Sequence, residues 1–126
     1  MKKSLNIKGA PQPIGPYSQA VLVNNMLFIS GQVHIDPVTN VIMDGDIRSL
    51  TIRVMENLRS LLAEAGMDFS HVVKTSIFLA DMNDFSVVNE TYATYFSTQF
   101  PARETIQAAY LPKGCKVEIS AIAVKD

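Results

Sequence analysis

Ile47-Arg48-Ser49-Leu50-Thr51-Ile52-Arg53-Val54-Met55-Glu56-Asn57-Leu58-Arg59-Ser60-Leu61-Leu62-Ala63-Glu64-Ala65-Gly66, with Val72-Val73-Lys74-Thr75-Ser76-Ile77-Phe78-Leu79 soon after it, decides the fold of this chain. In the first segment Ile47, Leu50, Val54, Leu58, Leu61, Leu62 and Ala65 recur at steps of three and four, which is the period of a helix with one buried stripe. Arg48, Arg53, Glu56, Arg59 and Glu64 fall largely off that stripe, and Gly66 supplies the positive-φ residue that stops a helix. Such a helix reaches about 27 Å, the width of a small sheet. The second segment is β-branched and apolar, a central strand with one more polar side.

Upstream, Val21–Val23 and Leu27–Ser30 flank Asn24-Asn25, a two-residue hairpin turn, because asparagine tolerates positive φ. Gly31 ends the second strand, and Val33-His34-Ile35 extends it before Asp36-Pro37 turns the chain. Gly9–Pro16, with three prolines, reads as an ordered turn region. Downstream, Asp84 caps a second helix whose stripe is Phe85, Val88, Tyr92, Tyr95 and Phe96, until Phe100-Pro101 interrupts it. A short strand over Thr105–Ala109, the turn Pro112-Lys113-Gly114 and a final strand over Lys116–Val124 complete the chain. The expected order is β-β-α-β-α-β-β: an α/β (α+β) fold in one domain spanning residues 1–126, with two helices on one face of a sheet of four to six strands. The other sheet face is left for something else to cover, and a partner subunit is the natural cover.

Composition narrows the function. Hydrophobic residues make up 48% and charged residues 18% of the 126, globular but poorer in charge than the usual quarter, which fits a surface partly covered by other subunits. A net charge of −1 with scattered basic residues gives no electrostatic reason to expect nucleic acid or an anionic membrane. One cysteine, Cys115, allows no intrachain disulfide and no thiolate cluster, and no apolar run suits a signal peptide or a membrane span. The expected compartment is the cytoplasm.

Arg103 and Glu118 are the leading chemical candidates. Arg103 follows Pro101 at the start of a strand-like run and offers a planar fork for a carboxylate or phosphate, unless it is a solvated edge arginine. It shares a side with Thr105 if the strand already runs there. Glu118 stands in Val117-Glu118-Ile119, and Ile122 and Val124 share its parity, so its face is covered for part of its length and its pKa is expected to rise. The alternative is a wet face shared with Ser120. Tyr17, after Gly15-Pro16, projects a phenol from a fixed turn or simply packs. Ser30 ends a strand just before Gly31, where a glycine permits close approach by a ligand or chain. His34 and His71 sit at no metal-ligand spacing and read as structural or exposed, while the glycines form no nucleotide-binding pattern and the aspartates no calcium loop. No metal or bound cofactor is called for.

Gly15-Pro16-Tyr17-Ser18-Gln19-Ala20, Ser30-Gly31-Gln32, Asn83-Asp84-Phe85 with Val88-Asn89, Pro101-Ala102-Arg103, and Leu111-Pro112 with Val117-Glu118-Ile119 together resemble the reactive-intermediate deaminase family, the RidA or YjgF type. The match covers nearly the whole chain in order. The resemblance implies a chorismate-mutase-like fold, a homotrimer with clefts between subunits, and a 2-iminobutanoate/2-iminopropanoate deaminase activity that hydrolyses imines and enamines such as 2-aminoacrylate to 2-oxo acids and ammonia. It implies that Arg103 holds the substrate carboxylate, that Glu118 orients water, that Tyr17, Ser30 and Asn89 line the cleft, and that Gly31 keeps it open. Many members carry cysteine where this chain has Thr105, which is carried as a substrate-binding position able to hydrogen bond. Two other readings remain: a trimeric module that only binds small keto or amino acids, and a ribonuclease or translation inhibitor.

Overall fold

A computed structural model describes residues 1–126. Asp46 opens α1 (Ile47–Glu64) by accepting a hydrogen bond from the Ser49 backbone N–H at 2.8 Å, which satisfies a donor the first turn leaves orphaned. At the other end Gly66 takes φ +71, and Lys125 Nζ donates to its carbonyl at 2.7 Å. The stripe between them is the centre of the core: Leu50, Val54, Met55, Leu58, Leu61 and Leu62 are each 1% exposed or less.

That stripe packs on a six-stranded sheet built from β1 (Lys2–Leu5), β2 (Ala20–Val23), β3 (Met26–Gln32), β6 (Val72–Leu79), β7 (Ala102–Gln107) and β8 (Val117–Val124), in the order β1-β2-β3-β8-β6-β7. The remaining strands, β4 (Ile35–Asp36) and β5 (Val41–Ile42), form a separate small hairpin. Every neighbouring pair in the main sheet is antiparallel except β6–β7, which run parallel and are joined through α2 (Phe85–Ala93) as a parallel pair requires. The β2–β3 turn is Asn24-Asn25, with Asn24 at φ +55. Both helices lie on the face that carries Leu27, Ile29, Ile77, Leu79, Val117, Ile119, Ala121 and Ala123. The expected mixed α+β layer is therefore present.

The opposite face has no helix. Along β8 burial alternates strictly, so Glu118, Ser120, Ile122 and Val124 all point to this face and are half-buried. Phe28 lies opposite Ile122 and is 41% exposed, and Ile106, beside Phe78, is 49% exposed. These apolar side chains sit in the open, as the parity of Ile122 and Val124 foretells.

Five details differ from expectation. β1 is an additional strand: Lys2-Lys3-Ser4-Leu5 lacks a strand pattern, and only Leu5 is buried, but its backbone completes the free edge of β2. Residues 33–35 do not extend β3, because a ladder irregularity between Ile29 and Gln32 redirects the chain into the β4–β5 hairpin. Asp84 makes no side-chain cap; Asp81 accepts from the Asn83 N–H at 2.9 Å and starts a 3-10 turn that feeds α2. Tyr95 and Phe96 lie past the end of α2, where Phe96 packs against Tyr92 at 4.9 Å between ring centroids. Finally, β7 spans Ala102–Gln107 instead of Thr105–Ala109, so Arg103 is inside the strand.

Candidate active site

Glu118 lies directly across from Phe78 on the open face, and burial pushes its carboxyl pKa up. Its seat depends on Gly31. A Cβ at position 31 would stand 2.5 Å from Glu118 Oε2 and 2.7 Å from Cδ, so the missing side chain is what lets the carboxylate lie where it does.

A cavity of about 520 Å³ opens beside this carboxylate, with Tyr17, Ser30, Gly31 and Glu118 among its walls. Tyr17 is 52% exposed and follows Gly15 at φ +131, a turn that only glycine adopts easily. Ser30 spends its hydroxyl proton on the Ser18 carbonyl at 2.6 Å, so toward a ligand it acts as an acceptor.

Two buried side chains brace the walls. Gln19 accepts from the Ile7 N–H at 2.6 Å and donates to the carbonyls of Ala10 and Pro11 at 3.2 and 2.8 Å, which fastens the N-terminal wall. His34 Nε2 accepts from the Lys116 N–H at 2.9 Å while Nδ1 lies 3.0 Å from the Met43 carbonyl, an arrangement that requires the neutral Nδ1–H tautomer. Burial accordingly lowers the His34 pKa. His71 is a local cap that accepts from the Asp68 N–H at 3.0 Å. No three His, Cys, Asp or Glu side chains gather where a metal ion could be held. The Cys115 thiol, pushed up to about 11 by burial and then by the charge of Glu118, is no nucleophile at neutral pH.

Arg103 belongs to the other side of the sheet. It pairs in register with buried Thr75, facing α2, and its Nη1 donates to Asn89 Oδ1 at 2.7 Å. A second recess of about 410 Å³ lies here, walled by Asn89, Tyr92, Phe100 and Pro101 together with Arg103. Nε and Nη2 have no partner within the chain, which leaves a two-nitrogen edge suited to a carboxylate.

The structure thus gathers Tyr17, Ser30, Gly31 and Glu118 at one recess and Asn89 with Arg103 at another, on opposite sheet faces. Thr105 joins neither. It sits on the Arg103 side, as the strand parity requires, but its hydroxyl oxygen is buried without a hydrogen-bond partner and lines neither cavity. Sequence pattern reads Tyr92 as core and Gln19 only as part of a motif; with exposed Tyr17 two residues before it, Gln19 carries no burial signal of its own.

Known proteins share this architecture over its full length. The family model described as Endoribonuclease L-PSP matches residues 7–125. Protein DfrA of Myxococcus xanthus is 52% identical over 98% of this chain and 95% of its own, and the human 2-iminobutanoate/2-iminopropanoate deaminase is 44% identical over 99% of this chain and 91% of its own. Among solved structures, the Rid family protein YyfA of Yersinia pestis superposes with a TM-score of 0.96 at 44% identity, covering 99% of this chain and 100% of that one. Matched by the family model over residues 7–125 and by relatives and solved structures of 44% identity or more along nearly its whole length, this chain belongs to the RidA/YjgF family.

Proposed function

We propose that the protein hydrolyses small 2-imino and 2-enamino acids, 2-aminoacrylate among them, and that it does so as a homotrimer whose clefts bring Arg103 of one copy to Glu118 of another. The observation that carries this reading is the division of the site. A carboxylate-binding edge and a half-buried acid with a raised pKa sit on opposite faces of one sheet, each beside a partial recess, and a neighbouring copy laid on the open face is the direct way to join them. The naming of mammalian relatives at 44–48% identity as 2-iminobutanoate/2-iminopropanoate deaminases supports the chemistry.

The enamine takes a proton from solvent at Cβ and becomes the protonated imine. Arg103 pairs with the carboxylate through Nε and Nη2 and orients the flat molecule. Glu118 accepts a proton from water as the water oxygen attacks the protonated imine carbon, passes that proton to the nitrogen, and takes the hydroxyl proton as the C–N bond breaks, so that ammonia leaves and the 2-oxo acid remains. General acid-base assistance of this kind is worth ~10²–10⁴-fold. Burial raises the Glu118 pKa, which makes its carboxylate a stronger proton acceptor than an exposed one.

A dehydratase that releases 2-aminoacrylate, with pyruvate appearance followed with and without this protein, tests the activity. Arg103→Lys and Glu118→Gln are each expected to lose most of the acceleration. Refolded together in equal amounts, the two inactive variants regain roughly a quarter of wild-type activity, since one site in four then combines an intact arginine with an intact glutamate from different copies. No recovery on mixing places both groups in one chain and refutes the shared cleft. Undiminished activity in either single variant refutes the mechanism. The ribonuclease reading rests on names alone, those of the family model and of some structural neighbours, and meets a net charge of −1, so RNA binding at low salt is expected to be undetectable.

A further inference from the structure

An arginine on an edge strand ordinarily samples many rotamers, and ordering it on substrate binding costs affinity. Arg103 is held before any ligand arrives. Along α2 the side chains Phe85, Asn89 and Tyr92 fall at i, i+4 and i+7, one above another on the face turned to β7. The Arg103 Cζ lies 5.2 Å from the centroid of the Tyr92 ring and 5.8 Å from that of Phe85, while Asn89 takes Nη1.

The Tyr92 ring is itself pinned. It is 3% exposed, its hydroxyl lies 2.8 Å from Thr75 Oγ1, and its other contacts include the Phe96 ring at 4.9 Å. Thr75 is the register partner of Arg103 on β6, so the strand that fixes the arginine backbone also fixes the aromatic platform against which its side chain lies. Two rings and one amide thus occupy a flank and one nitrogen of the guanidinium. What remains free is the Nε–Nη2 edge.

We propose that Tyr92, assisted by Phe85, is a positioning residue for Arg103: its ring holds the guanidinium flat by cation–π contact and so presents the Nε–Nη2 edge, already ordered, to the substrate carboxylate. The inference rests on the reading of Arg103 as the carboxylate site. It explains why the position suits arginine, since a lysine ammonium has no plane to lay on a ring and no second donor edge to aim. The platform orders the guanidinium before substrate arrives; once the carboxylate is paired, the substrate itself holds the Nε–Nη2 edge in place, so loss of the ring is felt at binding and moves KM far more than kcat.

Two substitutions separate the ring from the space it fills. Tyr92→Phe keeps the ring and removes the Thr75 hydrogen bond, whereas Tyr92→Leu keeps an apolar side chain and removes the aromatic face. In the imine assay Tyr92→Leu is expected to raise KM roughly 10-fold with kcat within about 2-fold, and Tyr92→Phe to keep KM within about 3-fold of wild type. Equal KM effects in the two variants, or a wild-type KM in Tyr92→Leu, overturn the proposal. The Arg103 Nε–H resonance gives a readout independent of turnover: in the wild type it is ring-current shifted and slow to exchange, and in Tyr92→Leu it moves to the free-arginine position. An unshifted, fast-exchanging resonance in the wild type overturns the proposal. If Tyr92→Leu does not fold, Phe85→Leu takes its place with an expected KM rise of about 3-fold, and an unchanged KM there counts against the platform.

Pyruvate titration, monitored at the same resonance, distinguishes the two levels of reading. Wild-type protein that binds pyruvate without hydrolysing imines refutes the deaminase reading while the platform is still judged by the weaker pyruvate binding expected of Tyr92→Leu. Wild-type protein that leaves the Arg103 resonance unmoved by pyruvate refutes the carboxylate site and the platform with it.

Discussion

Gly31→Ala is the substitution that isolates the placement of Glu118 from its chemistry. The added methyl carbon would stand 2.5 Å from Oε2, 2.7 Å from Cδ and 3.0 Å from Cγ of Glu118, against ordinary contacts of 3.4–4 Å, so the carboxylate must retreat by about 1 Å. Only the end of a flexible side chain stands in the way, and Gly31 has no positive φ to forbid alanine. The backbone therefore accepts the change, and the loss of unfolded-state entropy offsets part of the cost of moving Glu118. Stability is expected within about 1 kcal/mol of wild type by chemical denaturation. Catalysis is not so tolerant: a reacting group misplaced by about 1 Å costs on the order of 10²-fold. The expected result is a stable protein with kcat for 2-aminoacrylate hydrolysis down about 100-fold and pyruvate binding retained, because the carboxylate edge of Arg103 is untouched. Wild-type kcat in a correctly folded Gly31→Ala protein would show that the position of Glu118 does not matter and refute its role as the water-orienting base.

Thr105→Val removes a buried hydroxyl that has no partner and should stabilise the protein by ~1 kcal/mol in a urea titration, with KM unchanged because that oxygen lines neither recess. His34 is buried neutral with a lowered pKa, so the stability it contributes is full above its unfolded value of about 6.5 and is lost as pH falls. Acidification below neutrality should lower the midpoint of wild-type unfolding more steeply than that of His34→Gln. Glu118 is the opposite case: its raised pKa means its contribution is largest below the unfolded value and is lost as pH rises through the folded one. Glu118→Gln should therefore gain stability relative to wild type on going from acid to neutral pH, and a gap that shrinks over that range would contradict the burial argument.

Much of this architecture is written in local pattern. The α1 stripe and Gly66 define the longest element, since a helix of this length can bury its six apolar side chains Leu50, Val54, Met55, Leu58, Leu61 and Leu62 on only one side. The parity of Glu118 with Ile122 and Val124 exposes a sheet face with apolar residues and no helix to cover it. Where local signals are redundant or absent, sequence pattern does not place the element. Asp81 and Asp84 both offer a cap within four residues, and the 3-10 turn between them decides in favour of the first. β1 has no amphipathic signature because its strand exists through backbone pairing with β2, an interaction that leaves no trace in side-chain type.

The relation between Arg103 and Glu118 is the step that pattern could not supply. Each residue's own strand tells which neighbours share its side: Thr105 with Arg103, Ile122 and Val124 with Glu118. Joining the two statements needs the register across β6, which separates β7 from β8 in the sheet. Arg103 stands beside Thr75, Glu118 beside Phe78, and those two positions on one strand differ by an odd number, so the arginine faces the helices and the glutamate faces away. A slip of one residue in either pairing would have put both on the same face and allowed a site within one chain. With the observed register the sheet itself stands between acid and cation, and the open apolar face beside Glu118 is where a second copy would have to lie for the two to meet.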